Sequence, residues 1–223
     1  MKKVLVTGAS GFVGQSLLKK LSSDSSSKVI ALFHTQDSGN LFQARNIIWK
    51  KVNLLEDSLD NLILGTDIIY HLAGYSGLGK TYEEKNKLRS LNEITSQRLG
   101  SHKDISSIKQ FIYVSSIAAC EDSKEAFIDE HNGYPISEYG ASKKRAEEIL
   151  KDLAINNFEL TILRPTALFG TNHEGSIFEL AKRINEKKFF IFGTGKNLTN
   201  FYYIEEFSDV LKAVMLNKNF YGN

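Results

Sequence analysis

An α/β fold on a doubly wound parallel sheet is what this 223-residue sequence predicts, and three observations carry it. Short apolar runs alternate with stretches of helical apolar spacing, as parallel strands and crossover helices do. The runs are nearly continuous in apolar residues, the pattern of strands covered on both faces. The first of them, Lys3-Val4-Leu5-Val6-Thr7, passes directly into Gly8-Ala9-Ser10-Gly11-Phe12-Val13-Gly14 and then into a helical pattern from Gln15 to Leu21.

Strand, glycine turn and helix are the parts of a nucleotide-binding crevice of Rossmann type. Gly8 permits the tight turn, Gly11 allows close backbone approach to a pyrophosphate, and Gly14 lets helix and strand pack closely. The helix N-terminus carries the phosphate charge. Glycines also mark ordinary turns, and the spacing here is G-x-x-G-x-x-G. What points to dinucleotide binding is the placement of the triplet between strand and helix.

A second strand spans Lys28 to Phe33, and its end selects between the two nicotinamide dinucleotides. NAD sites place a carboxylate there for the ribose hydroxyls, NADP sites a cation. Leu32-Phe33-His34-Thr35 offers no acid, Asp37 lies farther along the loop, and His34 stands where a basic residue helps, so the lean is to NADP. Asn46 to Val52 is a third strand, followed by a loop from Asn53 and Leu54 and a short helix from Ser58 to Leu64. Asp67 to Gly74 is the fourth strand, ending in small residues that let a flat cofactor approach. A long helix is expected over Tyr82 to Ser101 and a fifth strand over Gln110 to Val114, ending in Ser115-Ser116. Residues 117 to 138 form a long connection, of a length that marks a functional or a disordered segment. Glu159 to Arg164 is the sixth strand, stopped by Pro165. Helix over Glu174 to Lys187, strand over Phe189 to Phe192, a turn at Gly193-Thr194-Gly195, and a strand and helix over Tyr202 to Leu216 complete the reading.

The composition bounds the partners. Hydrophobic residues make up 42% and charged residues 24%, with a net charge of +2, so no nucleic-acid or membrane patch is implied. The single cysteine, Cys120, excludes an internal disulfide and suits a reducing cytoplasm. No apolar run reaches the roughly 20 residues of a bilayer span, and the N-terminus does not read as a signal peptide. A soluble cytoplasmic protein is expected, with no metal site.

Tyr139-Gly140-Ala141-Ser142-Lys143 opens a further helix. A tyrosine and a lysine four residues apart leave the same helix face. They are either two surface side chains or an acid/base pair in which the ammonium favours the phenolate.

Seven segments in order resemble the extended short-chain dehydrogenase/reductase family, of the NAD-dependent epimerase/dehydratase type. They are Thr7-Gly8-x-x-Gly11-x-x-Gly14, His71-Leu72-Ala73-Gly74, Asn92 at the start of a helical stretch, and Tyr113-Val114-Ser115-Ser116. Tyr139-x-x-x-Lys143, Arg164-Pro165-x-x-x-Phe169-Gly170 and Phe201-Tyr202-Tyr203-Ile204-Glu205-Glu206 follow. The resemblance implies that Tyr139 is the general acid or base, that Lys143 binds the nicotinamide ribose and depresses the phenol pKa, and that Ser116 orients the substrate hydroxyl. Ser115 is either a second substrate contact or a strand-end serine bound to backbone. The cofactor would be held by Gly8, Ser10, Gly11, Phe12, Val13, Gly14, His34, Asn53, Leu54, Leu72, Ala73, Gly74, Asn92, Val114, Tyr139, Lys143 and Pro165. Asn92 either holds a helix kink near the lysine or caps a helix. The substrate, a nucleotide-linked sugar, would meet Ser115, Ser116, Tyr139, Thr166 and Ala167.

The departures bear on the substrate. Asn53 stands for the usual aspartate and Phe169 for the usual tyrosine, both tolerable. Ala167 replaces an asparagine that contacts the diphosphate in nucleotide-sugar epimerases, which leaves a reductase of small ketones or aldehydes as an alternative. A non-catalytic NADP(H) sensor is the third reading, against which the Tyr139 and Lys143 pair argues. The implied organisation is a cofactor domain over 1–165, a partial substrate lobe over 166–200, and a return to the first domain over 201–223 in a chain expected to be truncated. A homodimer through the helices near 82–101 and 139–153 is a further implication.

Overall fold

The apolar runs become six parallel strands in the computed structural model, which describes residues 1–35, 41–120, 134–171, 175–191, 193–196, 199–217 and 219. These are β1 (Lys2–Thr7), β2 (Ser27–Phe33), β3 (Ile47–Lys51), β4 (Ile68–His71), β5 (Gln110–Val114) and β6 (Leu160–Leu163), in the order β3-β2-β1-β4-β5-β6. The order reverses between β1 and β4, and a crevice opens at the carboxyl ends of strands that diverge in this way. Parallel register lines up Thr7, His71 and Tyr113 across β1, β4 and β5.

Each face of the sheet carries its own core because successive side chains point to opposite sides. Val4, Val6, Tyr70 and Ile112 pack with Leu17 and Leu18 of α1 (Phe12–Ser22) and with Phe207 and Leu211 of the last helix. Leu5, Ile69, Phe111 and Tyr113 pack on the other face with Leu62 and Ile63 of α2 (Asp60–Ile63) and with Ala146 and Leu150. α3 (Tyr82–Leu88) runs through a π-helical segment, Arg89–Ile94, into α4 (Thr95–Gly100). The expected long helix is therefore interrupted, and Asn92 sits inside the interruption rather than at a helix start or cap. Thr95 Oγ1 donates to the Leu91 carbonyl at 2.9 Å and Ser96 Oγ to the Asn92 carbonyl at 2.6 Å. Hydroxyls that take carbonyls four residues back compete with the helix ladder and bend it.

α5 (Glu138–Ala154) leads into β6, and after Pro165 the chain leaves the sheet. A strand missed in the sequence, β7 (Ala167–Phe169), pairs in parallel with the later β8 (Phe201–Tyr203). Three residues this close to a proline are too few to show a period. Between them lies α6 (Ser176–Asn185). Phe189, Phe190 and Ile191 are exposed and form no strand, contrary to the expectation for that apolar run, whose last residue, Phe192, lies outside the described residues. Asp37 and most of the 117–138 connection also lie outside them.

The chain rejoins the sheet through α7 (Ile204–Ala213), which packs on α1. Tyr70 donates its hydroxyl to the Leu211 carbonyl at 2.8 Å. Fully buried Gln110, at the start of β5, donates to Thr161 Oγ1 and to the Val214 carbonyl, both at 3.0 Å, and accepts from the Leu216 amide at 2.7 Å. Among the described residues no helix is long and apolar enough to cross a membrane.

Candidate active site

A cleft of about 550 Å³ lies over the carboxyl ends of β1, β4, β5 and β6. Its first wall is the glycine turn: Gly8, Gly11, Phe12, Val13 and Gly14 line it. Gly8 has φ +64°, and a Cβ there would lie 2.6 Å from the Ala73 amide nitrogen, so no other residue fits the approach of this turn to the end of β4. Gly11 is the N-cap of α1 and supplies no side-chain cap, and the first turn of α1 holds no acidic residue. The N-terminal turn of that helix thus presents the positive end of its dipole to the cleft, with no acidic side chain to oppose an anion.

The opposite wall comes from β4, β5, α5 and the segment after β6. Leu72 and Gly74, then Val114, Ser115 and Ser116, then Tyr139 and Lys143, and last Pro165, Thr166 and Ala167 all face the cleft. Sequence reasoning missed Tyr75, Ser76, Ile117 and Leu168, which also line it. Tyr75 and Ser76 directly follow the Gly74 motif, a signal that was available, whereas Leu168 is hidden in the unforeseen β7. Ser10, His34, Asn53, Leu54, Ala73 and Asn92 do not line this cleft. His34 is exposed just beyond β2. Asn53 is engaged in its own loop, accepting from the Leu55 amide at 3.0 Å and donating to Glu56 Oε2 at 2.9 Å. Leu54 offers its carbonyl to Arg98.

The three residues expected to do chemistry are brought together. Ser137 caps α5 by accepting from the Gly140 amide at 3.0 Å. Gly140 lets the first turn of the helix lie on the Ser116 turn, since a Cβ there would fall 1.9 Å from the Ala118 carbonyl oxygen. Ser116 accepts from the Ala118 amide at 3.2 Å, and its hydroxyl lies close enough to the Tyr139 phenol to lower the phenol's pKa. Lys143, 5% exposed, donates to the Val114 carbonyl at 2.8 Å and sits 4.5 Å from the centre of the Tyr113 ring.

Burial sets the protonation states. It raises the Tyr139 pKa above its ordinary 10, with the Ser116 hydrogen bond pulling the other way. The expected depression by Lys143 is not among the causes of this shift, and burial favours the protonated phenol. Burial likewise brings the Lys143 pKa down to about 8, opposed by the charge of Glu147. Glu147, one turn beyond Lys143 and fully buried, forms a two-pronged pair with Arg164 at 2.9 and 2.6 Å. That pair ties α5 to the end of β6. Its sequence signal was weak, because Glu147-Glu148 reads as an exposed helix face.

One orphaned group speaks for a bound molecule. Ser115 Oγ is buried in the cleft wall and has no hydrogen-bond partner among the described residues. Such a hydroxyl costs about 1–3 kcal/mol unless something in the cleft completes it. With a helix N-terminus on one wall and Ser115, Tyr139 and Lys143 on the other, the residues fit a dinucleotide.

The profile of the NAD dependent epimerase/dehydratase family matches residues 4–221. The chain belongs to that family. It is 28% identical over 226 residues to the N-acetyl-alpha-D-glucosaminyl-diphospho-ditrans,octacis-undecaprenol 4-epimerase of Escherichia coli O157:H7, covering 96% of this chain and 63% of the relative. A UDP-glucose 4-epimerase of Vibrio cholerae is 29% identical, over 83% of this chain and 57% of its own. A 4-hydroxy-2-methyl-3-oxo-4-farnesyl-3,4-dihydroquinoline-1-oxide ketoreductase of Stigmatella aurantiaca is 26% identical over 89% of this chain and 60% of its own. This family member thus spans roughly three-fifths of the length of these relatives. The crystal structure of a UDP-glucuronic acid 4-epimerase from Bacillus cereus in complex with NAD superposes with a TM-score of 0.87 at 24% identity, over 99% of this chain and 75% of that one, which shows the common fold.

Proposed function

We propose that this family member binds NAD in the cleft and acts on a nucleotide-linked sugar, as an epimerase or dehydratase does. The convergence of Tyr139, Ser116 and Lys143 opposite the glycine turn carries the reading. NAD, when bound, supplies the hydride acceptor and donor. The amides of Phe12, Val13 and Gly14 hold its pyrophosphate, Lys143 its nicotinamide ribose, and Ser115 completes its hydrogen bonding toward it. Ser116 orients the sugar hydroxyl, and Tyr139 exchanges a proton with that hydroxyl at its phenolic oxygen. Because burial keeps the phenol protonated, Tyr139 needs cationic help before it acts as a base. Lys143, now on the Val114 carbonyl, is the group that provides it.

The family description names NAD, while the sequence around His34 leans to NADP, so both belong in the test. Calorimetric titration with each, followed by NMR of UDP- and dTDP-sugars incubated with the loaded protein, checks the proposal. Failure of both cofactors to bind at millimolar concentration sinks it. A second reading, a reductase of small ketones or aldehydes, is favoured by Ala167 in the cleft wall and by the ketoreductase among the relatives. Carbonyl reduction in the absence of any sugar conversion would select it. Residues 166–200 are the substrate-facing lobe in this proposal, residues 201–223 return to the cofactor domain, and the surroundings are cytoplasmic. A homodimer through α3–α4 and α5, which sedimentation would reveal, completes it.

A further inference from the structure

Behind the cleft runs a buried chain of hydrogen bonds with one allowed direction. The Ala73 amide donates to Thr7 Oγ1 at 3.2 Å, and Thr7 Oγ1 lies 2.8 Å from His71 Nδ1. His71 Nε2 lies 3.0 Å from Ser96 Oγ, which donates to the Asn92 carbonyl at 2.6 Å. Thr7, His71 and Ser96 are all fully buried. Ser96 has one proton, and it is spent on Asn92. The bond between Ser96 and the ring must then be donated by Nε2–H, which leaves Nδ1 to accept from Thr7. The ring is therefore neutral and in a single tautomer. Burial and the charge of Lys143 agree, holding its pKa down to about 3.

The far end of the chain turns back to the cleft. Asn92 Oδ1 accepts from the Tyr75 amide at 2.7 Å, and Nδ2 donates to the Tyr75 carbonyl at 3.0 Å and to Ser142 Oγ at 2.8 Å. Ser142 in turn donates to the Tyr139 carbonyl at 2.7 Å. Ala73 is thus held from the Thr7 side and Tyr75 from the Asn92 side. Gly74 between them lines the cleft, with Asn92 Oδ1 2.8 Å and Lys143 Nζ 3.7 Å from where a Cβ would stand.

We propose that His71 is a positioning residue: through Thr7 and Ser96 it locks the Ala73–Tyr75 rim of the cleft to the π-helical segment at Asn92, and so keeps that rim in register with Lys143 and Tyr139 for the cofactor. The proposal deepens the NAD reading and rests on it. A histidine that merely fills the core would leave cofactor affinity alone once the protein is folded. A positioning residue would not.

The test has a cofactor-free arm and a binding arm, both on the full chain. Long-range ¹H–¹⁵N spectra at pH 7 are expected to show the His71 ring as the neutral Nε2–H tautomer; an Nδ1–H or doubly protonated ring overturns the proposal. His71→Phe keeps the ring shape and removes both bonds, and is expected to weaken NAD binding about 10- to 100-fold in calorimetry. His71→Gln keeps one donor and one acceptor and is expected to restore affinity to within about fivefold of wild type, as partial replacement of the bonds predicts. Unchanged affinity in folded His71→Phe overturns the proposal. Should that variant not fold, Ser96→Ala decides: the expected result is roughly tenfold weaker NAD binding with faster exchange of the Tyr75 amide. Wild-type affinity and exchange in that variant overturn it. If the wild-type chain binds no NAD, the functional reading falls, and the ring tautomer with Tyr75 exchange still decides whether the chain positions the rim.

Discussion

Replacing Lys143 by methionine is expected to stabilise the fold at neutral pH while removing the cofactor contact proposed for it. The Lys143 pKa falls from 10.5 to about 8 in the folded chain. Holding the proton therefore costs the folded state about 3 kcal/mol more than the unfolded state. Methionine fills much the same volume without the charge, but it leaves the Val114 carbonyl without its 2.8 Å donor. That loss offsets about 1–2 kcal/mol, so Lys143→Met should be more stable than wild type by about 1–2 kcal/mol at pH 7. The sign of the pH dependence is fixed. Between about 8 and 10.5 the unfolded lysine still binds a proton that the folded one has released, so wild-type stability rises with pH relative to the variant. The advantage of methionine should shrink, then reverse. Paired urea melts at steps from pH 7 to pH 10 measure it, with other titrating groups cancelling between the two proteins. A stability difference that stays flat across that range would refute the reasoning.

Other substitutions probe the remaining parts of the site. Tyr139→Phe should lower turnover more than about a hundredfold, as loss of an acid/base group does, with a far smaller loss of NAD affinity by calorimetry, since the ring remains. Glu147→Ala removes the two-pronged carboxylate contact to Arg164 in a largely buried place and should cost about 3–5 kcal/mol in urea denaturation. Gly140→Ala forces the start of α5 away from the Ala118 carbonyl; a loss of about 1–3 kcal/mol is expected in the same assay, with a drop in turnover as Tyr139 and Ser116 part.

The sheet and the two walls of the cleft were legible in the sequence because each depends on a local pattern. Parallel strands between two covered faces must be apolar throughout, and the glycine turn must follow β1 directly. Tyr139 and Lys143 share a helix face whatever surrounds them. What the sequence hid are effects of tertiary placement. The phenol pKa is decided by burial rather than by a lysine four residues away. Glu147 is drawn inward by an arginine at the end of a strand formed later in the chain. The helix around Asn92 is unwound by hydroxyls at Thr95 and Ser96, which in isolation read as ordinary helix residues. β7 exists only because β8 comes back to pair with it. The run at Phe189 to Ile191 failed in the opposite sense: its residues favour a strand, but it pairs with none of the described strands and stays exposed.

Gln110 bears on how the lobe beyond Pro165 is able to move. The chain leaves the sheet after Leu163, and Gln110, on the neighbouring strand, clamps it again at Val214 and Leu216. Both feet of the excursion thus stand on one rigid platform, one joined by the β6 ladder and the other by a buried amide and by α7 on α1. A segment pinned in this way behaves as an arch rather than a tail. Ordering it further costs little extra chain entropy, because the loop is already closed by the fold.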